Sequence, residues 1–397
     1  MSETVTAPTK DSGRRKAVRF IILIGIVSLF GDMTYEGARS INGPFMATLG
    51  ASATVVGIVA GLGEFIGYGL RLGSGFLADR SQRYWAITIS GYLLNLLAVP
   101  LLALAGNWQT AAVLIVLERM GRAIRSPARD AMLSNAASQT GQGWGFGLHE
   151  ALDQIGAVTG PAVLAVVLTF HGGYSTAYAL LLIPALCSIG VLLTARAQVP
   201  HPSDLDISLP VASASGQSRK YWWYLAAASL VGAGFADYQI IAYHFGKTGI
   251  LGPEWIPALY GLAMATDAVA ALVLGAWFDR VGIWSVLVAT VISAAASPLV
   301  FLGGLGAAVA GMAFWGIGMA AQESVMRAVI SNLVPSERRG SGFGMFNACF
   351  GTAWFAGSVL LGWLYDQSVF ATVAFSVVAQ VAAIPILFWI ALRDGSP

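Results

Sequence analysis

Charge is what this chain has least of. Asp, Glu, Lys and Arg make up 11% of its 397 residues, against about 25% in an ordinary soluble domain, and a soluble fold is excluded on that ground. Cysteine is nearly absent. Cys187 and Cys349 both lie inside apolar runs, so there is no disulfide framework and no CxxC metal knuckle, and each reads as a small buried hydrophobe. Four His and no His-rich tail leave little imidazole for a metal centre. No GxxxxGK loop followed by Ser or Thr occurs, nor an HExxH or Ser/His/Asp arrangement. Nucleotide-driven work and intramembrane catalysis are therefore unsupported, and the chain reads as no enzyme. A net charge of +2, without a basic stripe interleaved with aromatics, gives no reason to expect nucleic acid. Neither a metal site nor a cofactor is expected.

What is present is apolar, helix-forming sequence. Hydrophobic residues make up 56% of the chain and Gly occupies 47 positions, with a mean hydropathy of +0.71, a composition suited to helices packed closely in lipid. Apolar runs broken by Gly, Pro or charge fall at 19–43, 53–78, 84–105, 108–130, 144–170, 174–195, 221–246, 255–278, 283–303, 306–332, 341–365 and 369–392. A membrane-crossing helix needs about 20 residues, so these twelve runs define an all-α protein with the lipid bilayer as its surroundings. Basic residues sort the loops. Arg80, Arg83, Arg196, Arg219, Lys220, Arg280, Arg338, Arg339 and Arg393 fall on the side of the N-terminal cluster Lys10, Arg14, Arg15, Lys16 and Arg19, and the other side has Lys247 and little else. Positive charge stays on the cytoplasmic face, so both termini are expected there. The first apolar run is too long for a signal-peptide core. The polar stretch 196–220, rich in Pro, Ser and Asp, reads as a cytoplasmic linker. It follows a tail at 1–18 and a six-helix bundle at 19–195, and it precedes a second bundle at 221–393 and a short cytoplasmic end at 394–397.

The halves repeat each other. Phe30-Gly31-Asp32 returns as Phe235-Ala236-Asp237, and Gly75-Phe76-Leu77-Ala78-Asp79-Arg80 as Gly275-Ala276-Trp277-Phe278-Asp279-Arg280. Ser134-Asn135 and Gly143-x-Gly145-Phe146-Gly147 return as Ser331-Asn332 and Gly340-x-Gly342-Phe343-Gly344. Two six-helix pseudo-repeats are the sequence mark of a secondary transporter whose halves rock about a midplane site. The loop from Gly75 to Arg83 is similar to the signature G-x-L-a-D-r-x-G-r between helices 2 and 3 of the major facilitator superfamily, and the likeness spans essentially the whole chain. Gln82 stands where the family has Gly, while the second copy keeps Gly282 but has Ile283 and Trp284 in place of the basic end. The resemblance implies the major facilitator fold and a cytoplasmic gate built from Asp79, Arg80 and Arg83 with Asp279 and Arg280, which Arg129 is expected to join. The motif Gly156-x-x-x-Gly160-Pro161 resembles the helix-5 antiporter motif of that family's drug exporters, with Leu164 and Ala165 in place of its closing Gly pair. Small residues there permit close helix approach and Pro161 loosens the helix, which makes a pliable seam. The run from Glu118 to Asp130 resembles a branch of the superfamily associated with drug or with nickel and cobalt export.

A charge at the bilayer centre is costly, so each needs a partner or a watery cavity. Helix 1 carries Asp32, Glu36 and Arg39. At 1.5 Å per residue from Arg19, Asp32 lies about 20 Å in, and the i, i+4 spacing puts Asp32 and Glu36 on one face. Two acids in a low-dielectric site resist being charged together, which is the chemistry of proton coupling. The alternative is a fixed ion pair with Arg39 or a helix-4 arginine. His149 and Asp153, one turn apart on helix 5, form a second relay candidate, and Glu150 is expected to meet an arginine. On helix 4, Glu118, Arg122, Arg125 and Arg129 make a charged stripe that must face a cavity. Arg122 and Arg125 there could bind an anionic substrate group or hold the acids of helices 1 and 5. Tyr35, Asp237 and Tyr238 are placed in the same substrate cavity, whereas Glu323 with Arg327, and Glu64 with Arg71, read as structural pairs.

These readings converge on a secondary active transporter, a monomer, that exports a small amphipathic molecule by alternating access in exchange for protons. A divalent metal or metal chelate is the alternative cargo, drawn to Asp32, Glu36, His149, Asp153, Asp237 and His244.

Overall fold

The computed structural model describes residues 10–137, 139–140, 142–170, 173–201, 218–333 and 339–394, and every regular element among them is helical. Most of the expected linker, residues 202–217, lies outside the described residues. The N-terminal half holds α1 (Lys10–Thr48), α2 (Ala53–Ser81), α3 (Tyr84–Leu101), α4 (Trp108–Ala137), α5 (Gln142–Thr169), α6 (Tyr174–Leu180) and α7 (Leu182–Gln198). The C-terminal half holds α8 (Arg219–Gly234), α9 (Tyr238–Thr248), α10 (Trp255–Val281), α11 (Trp284–Ala294), α12 (Ala296–Leu302), α13 (Leu305–Ala320), α14 (Met326–Leu333), α15 (Arg339–Gln367) and α16 (Val369–Asp394). A π-helical turn, Ala321–Val325, joins α13 to α14.

Side-chain caps set several of the starts. Ser52 Oγ accepts from Val55 N at 3.3 Å ahead of α2, Asn107 Oδ1 from Thr110 N at 2.8 Å ahead of α4, and Ser218 Oγ from Tyr221 N at 3.3 Å ahead of α8. Among the described residues, 11 spans are long and apolar enough to cross a membrane. The remaining expected run is α4, an unbroken helix kept out of that set by Glu118, Arg119, Arg122 and Arg125 in its middle.

Close backbone contacts set the packing. A Cβ on Gly156 of α5 would lie 2.2 Å from Leu29 O and 3.0 Å from Asp32 Cβ of α1, and one on Gly160 would lie 2.4 Å from Met33 O. The Gly156 and Gly160 face of α5 is therefore pressed onto α1, while Pro161 faces Gly261 of α10 in the other half. α5 runs through Pro161 without a break. At the end of the molecule opposite the Gly75–Arg83 loop the halves touch. Asp366 of α15 accepts from Ala53 N at 3.0 Å and Thr54 N at 2.8 Å at the start of α2, and a Cβ on Gly57 would meet Ser358 O at 2.4 Å. Farther along α2, Phe65 still meets Phe355 with ring centroids 5.6 Å apart. By Gly67 an added Cβ would meet open space. The halves thus diverge toward the Gly75–Arg83 end and leave a cavity between them.

Candidate transport site

The cavity has a volume of about 530 Å³ and is lined from both halves. Its N-terminal wall is a buried ladder of charge. Glu36 Oε1 of α1 lies 3.8 Å from Arg39 and 3.5 Å from Arg122 of α4. Glu64 of α2 lies 3.7 Å from Arg39 and 3.2 Å from Arg119, and Arg119 lies 3.3 Å from Glu118. Glu118 in turn accepts from Asn95 Nδ2 of α3 at 2.8 Å. Four helices are tied together where lipid would penalise any lone charge. Glu64 therefore pairs with Arg39 and Arg119, not with Arg71 as its spacing suggested, because α4 brings the nearer guanidinium.

Asp32 stands apart from this ladder. Its carboxyl is 3% exposed, its Oδ1 has no hydrogen-bond partner, and its charged neighbours are Asp153, Arg122 and Glu36. Glu36 is different. It accepts a hydrogen bond of 2.5 Å from Tyr260 Oη of α10, across the interface between halves, and so is engaged by two arginines and a tyrosine at once. Tyr35 carries both helix-4 cations on its ring, with Arg122 at 4.3 Å and Arg125 at 5.7 Å from the centroid.

The helix-5 pair does not close on itself. His149 Nε2 is 2.8 Å from Ser28 Oγ, which also accepts from Arg129 Nη1 at 3.2 Å, while Asp153 Oδ1 has no partner. Glu150 accepts from Gln154 at 3.3 Å, and among the described residues it forms no ion pair with an arginine. Arg129 pairs with Asp130 at 2.8 Å and is turned to α1 and α5, facing the cavity with His149. Among the other expected gate residues, Arg80, Arg83 and Arg280 are exposed. The side chains of Asp79 and Asp279 lie outside the described residues.

The C-terminal wall corrects two placements. Asp237 and Tyr238 do not line the cavity. The chain breaks between α8 and α9, and Asp237 caps α9 by accepting from Gln239 N at 3.2 Å and also accepts from Trp354 Nε1 at 3.4 Å. Tyr238 Oη donates to Ile256 O at 2.7 Å and lies 3.2 Å from Ser40 O, on the sealed side. In their place stand Asp267 of α10, Glu323 of the π turn, and Phe346, Phe350 and Trp354 of α15. The expected pair of Glu323 with Arg327 is not formed, since the wider π turn takes Glu323 out of α-helical register with Arg327. Tyr260 is the site residue that sequence reasoning missed; it lies seven residues before Asp267 on α10, and that spacing from a charge in an apolar helix was the available signal. His244 is bonded to Tyr365 Oη at 2.7 Å, and among the described residues no group of three or more His, Cys, Asp and Glu converges as metal ligands would.

A polar, two-walled cavity inside a bundle of membrane-spanning helices defines a secondary transporter. The chain belongs to the Major Facilitator Superfamily, whose family model matches residues 21–302 and 238–397. It is 39% identical over 389 residues to an uncharacterised protein of Mycobacterium tuberculosis, covering 96% of this chain and 95% of that one. It is 26% identical over 385 residues to an uncharacterised MFS-type transporter of Methanocaldococcus jannaschii, covering 94% and 96%. Its fold is similar to that of the nucleoside transporter NupG, with a TM-score of 0.74 at 13% identity over 95% of this chain and 100% of that one. A peptide transporter POT crystallised with sulfate gives a TM-score of 0.74 at 14% identity over 98% and 99%. At such identities the two structures speak for the fold alone.

Proposed function

We propose that this chain exports a small amphipathic molecule in exchange for protons, by rocking two six-helix bundles about the central cavity, and that the conformation described is open to the cytoplasm. Asp32 carries the reading. It is a buried carboxyl beside the cavity, with one oxygen unpartnered and two further acids and an arginine around it. A carboxyl so placed can take up and release a proton as its surroundings change, because Arg122, the cation beside it, is shared with Glu36. Glu36 acts as a latch: its bond to Tyr260 joins the halves and must break when they rock. The charged N-terminal wall facing the aromatic face of α15 suits an amphipathic cargo, and the resemblance of Gly156 to Pro161 to the antiporter motif supports export. The loop charges support a cytoplasmic position for both termini; labelling of Ser213→Cys by an impermeant thiol reagent added outside intact cells is expected to fail.

Comparing metabolites between a deletion strain and an overexpressor supplies the substrate for the decisive assay. In reconstituted vesicles with an imposed pH gradient, Asp32→Asn is expected to abolish accumulation while leaving exchange of substrate down its own gradient, and Glu36→Gln to show a weaker defect. Undiminished uphill transport by both single variants and the double variant would move coupling away from α1, to His149 and Asp153.

A further inference from the structure

Two charged side chains in the cavity are buried and unpartnered, and proton coupling uses neither. Arg125 of α4 is 1% exposed, its Nε and Nη1 have no hydrogen-bond partner, and its guanidinium rests 4.1 Å from the ring centroid of Tyr92 and 5.7 Å from that of Tyr35. Arg122 covers the same Tyr35 ring at 4.3 Å. Aromatic faces offset part of a cation's charge but give its N–H groups no acceptor. On the facing wall Asp267 is 3% exposed. Among the described residues it has neither hydrogen bond nor ion pair, and the charges that act on it, Glu323, Glu150 and Glu36, are acids as well. Arg125 bears the cost of a buried charge without an acceptor, and Asp267 stands among acids with no cation bonded to it among the described residues.

The two positions lie at different depths of one cavity. Arg122 is 3.5 Å from Glu36, Glu36 accepts from Tyr260, and Asp267 follows Tyr260 by two turns on the same face of α10. At 1.5 Å per residue, Asp267 lies about 10 Å beyond the level of Tyr260 and Arg122, and about 6 Å beyond that of Arg125, which is one turn further along α4. The cavity of about 530 Å³ is of the size that holds a small molecule, and Phe346 and Phe350 give it an apolar surface.

We propose that the substrate is amphoteric. Its anionic group, a carboxylate or similar oxyanion, docks between Arg122 and Arg125 over Tyr35. Its basic nitrogen docks at Asp267 beside Glu150 and Glu323, and its apolar body, about 6–10 Å long, lies against Phe350. A molecule with one charge meets one end and leaves the buried charge at the other end unmatched, so both single-charge classes are selected against. This assignment rests on reading the cavity as a transport site but not on proton coupling.

Equilibrium binding to the purified full-length protein, followed by thermal stabilisation without any gradient, tests it. The probes are ω-amino acids of about four to twelve carbons, each compared with the alkylamine and the alkanoate of the same length. At one length or a narrow band of lengths the ω-amino acid is expected to bind about tenfold more tightly than either control. Arg125→Gln should erase its advantage over the alkylamine and Asp267→Asn its advantage over the alkanoate. Arg125→Lys and Asp267→Glu retain the charges and should retain the preference, with helix content and elution profile confirming that each variant is folded. Absence of a preference at every length in the folded protein overturns the proposal, as does an equal weakening of all three probe classes by both charge-removing substitutions. Failure of proton coupling in vesicles would leave this result standing, so the two readings fail separately.

Discussion

Asp32 and Asp237 occupy matching places in the two halves of the sequence, each two residues after a Phe, and they do opposite things. α1 is continuous through Asp32, so every backbone group there is served by the helix and the carboxyl has no local task. Its Oδ1 remains without a partner, and three charges surround it. Around Phe235–Asp237 the helix stops and restarts. Asp237 is then engaged by the backbone of α9 and by the Trp354 indole. One sequence pattern has thus yielded a carboxyl with an unengaged oxygen and a carboxyl that holds the chain. The difference lies in the backbone, since a cap uses up the oxygens that a proton carrier must keep available.

The comparison is broken most directly by removing each carboxyl in turn. Asp32→Asn is expected to leave folding intact and eliminate uphill transport altogether. Asp237→Ala should do the reverse. Losing a cap costs about 0.5–2 kcal/mol, visible as a lower unfolding temperature and less folded protein, while the surviving molecules keep their pH-driven transport. Equal transport loss per folded molecule in both variants would show that the pair shares one role.

A second contrast runs along α2, tight against α15 at Gly57 and clear of it at Gly67. Gly57→Val must push Ser358 O away, because its Cβ would sit 2.4 Å from that oxygen. The sealed end should loosen, and a cysteine placed at buried Ser358 should label several-fold faster from that side; a factor of ten corresponds to about 1.4 kcal/mol in the opening equilibrium. Gly67→Val, which meets open space, serves as the control and should leave labelling unchanged.

Much of the fold was legible because bilayer thickness fixes helix length and lipid penalises charge, so runs of apolar residues and their interruptions carry the architecture. The N-terminal wall was legible for the same reason. Asp32, Glu36, Arg122 and Arg125 announce themselves as charges in apolar sequence, and the structure brings all four to one region. Partner choice was not legible. Glu64 took Arg119 of another helix over Arg71 of its own, and Glu323 lost Arg327 to a π turn that leaves no mark in residue spacing. Asp237 was misplaced because its resemblance to Asp32 is one of sequence, and the break that separates their fates is set by packing against α15 and α16. A Cβ on Gly234, at that break, would fall 2.7 Å from Ser376 O.

The smallest effect should come from the two loops that follow α2 and α10. Both helices end with a backbone bond from the next residue but one after the Asp–Arg pair, Gln82 N to Ala78 O at 2.9 Å and Gly282 N to Phe278 O at 2.8 Å. Gln82 has φ 53° and ψ 16°, in the left-handed helical well, and is the one non-glycine residue with positive φ among those described. Gly282 has φ 60° but ψ −136°, outside that well. A side chain can occupy the first conformation at a cost of about 1–2 kcal/mol, and the second belongs in practice to glycine. This is why the first loop tolerates a Gln where the superfamily signature has Gly, and the second does not depart. Gln82→Gly should therefore stabilise the detergent-purified protein by about 1 kcal/mol at most, since glycine also gains freedom in the unfolded chain. Gly282→Gln should destabilise it by about 1–3 kcal/mol. Thermal unfolding of the two variants side by side measures the asymmetry, and equal and opposite shifts would mean that the loops are conformationally equivalent after all.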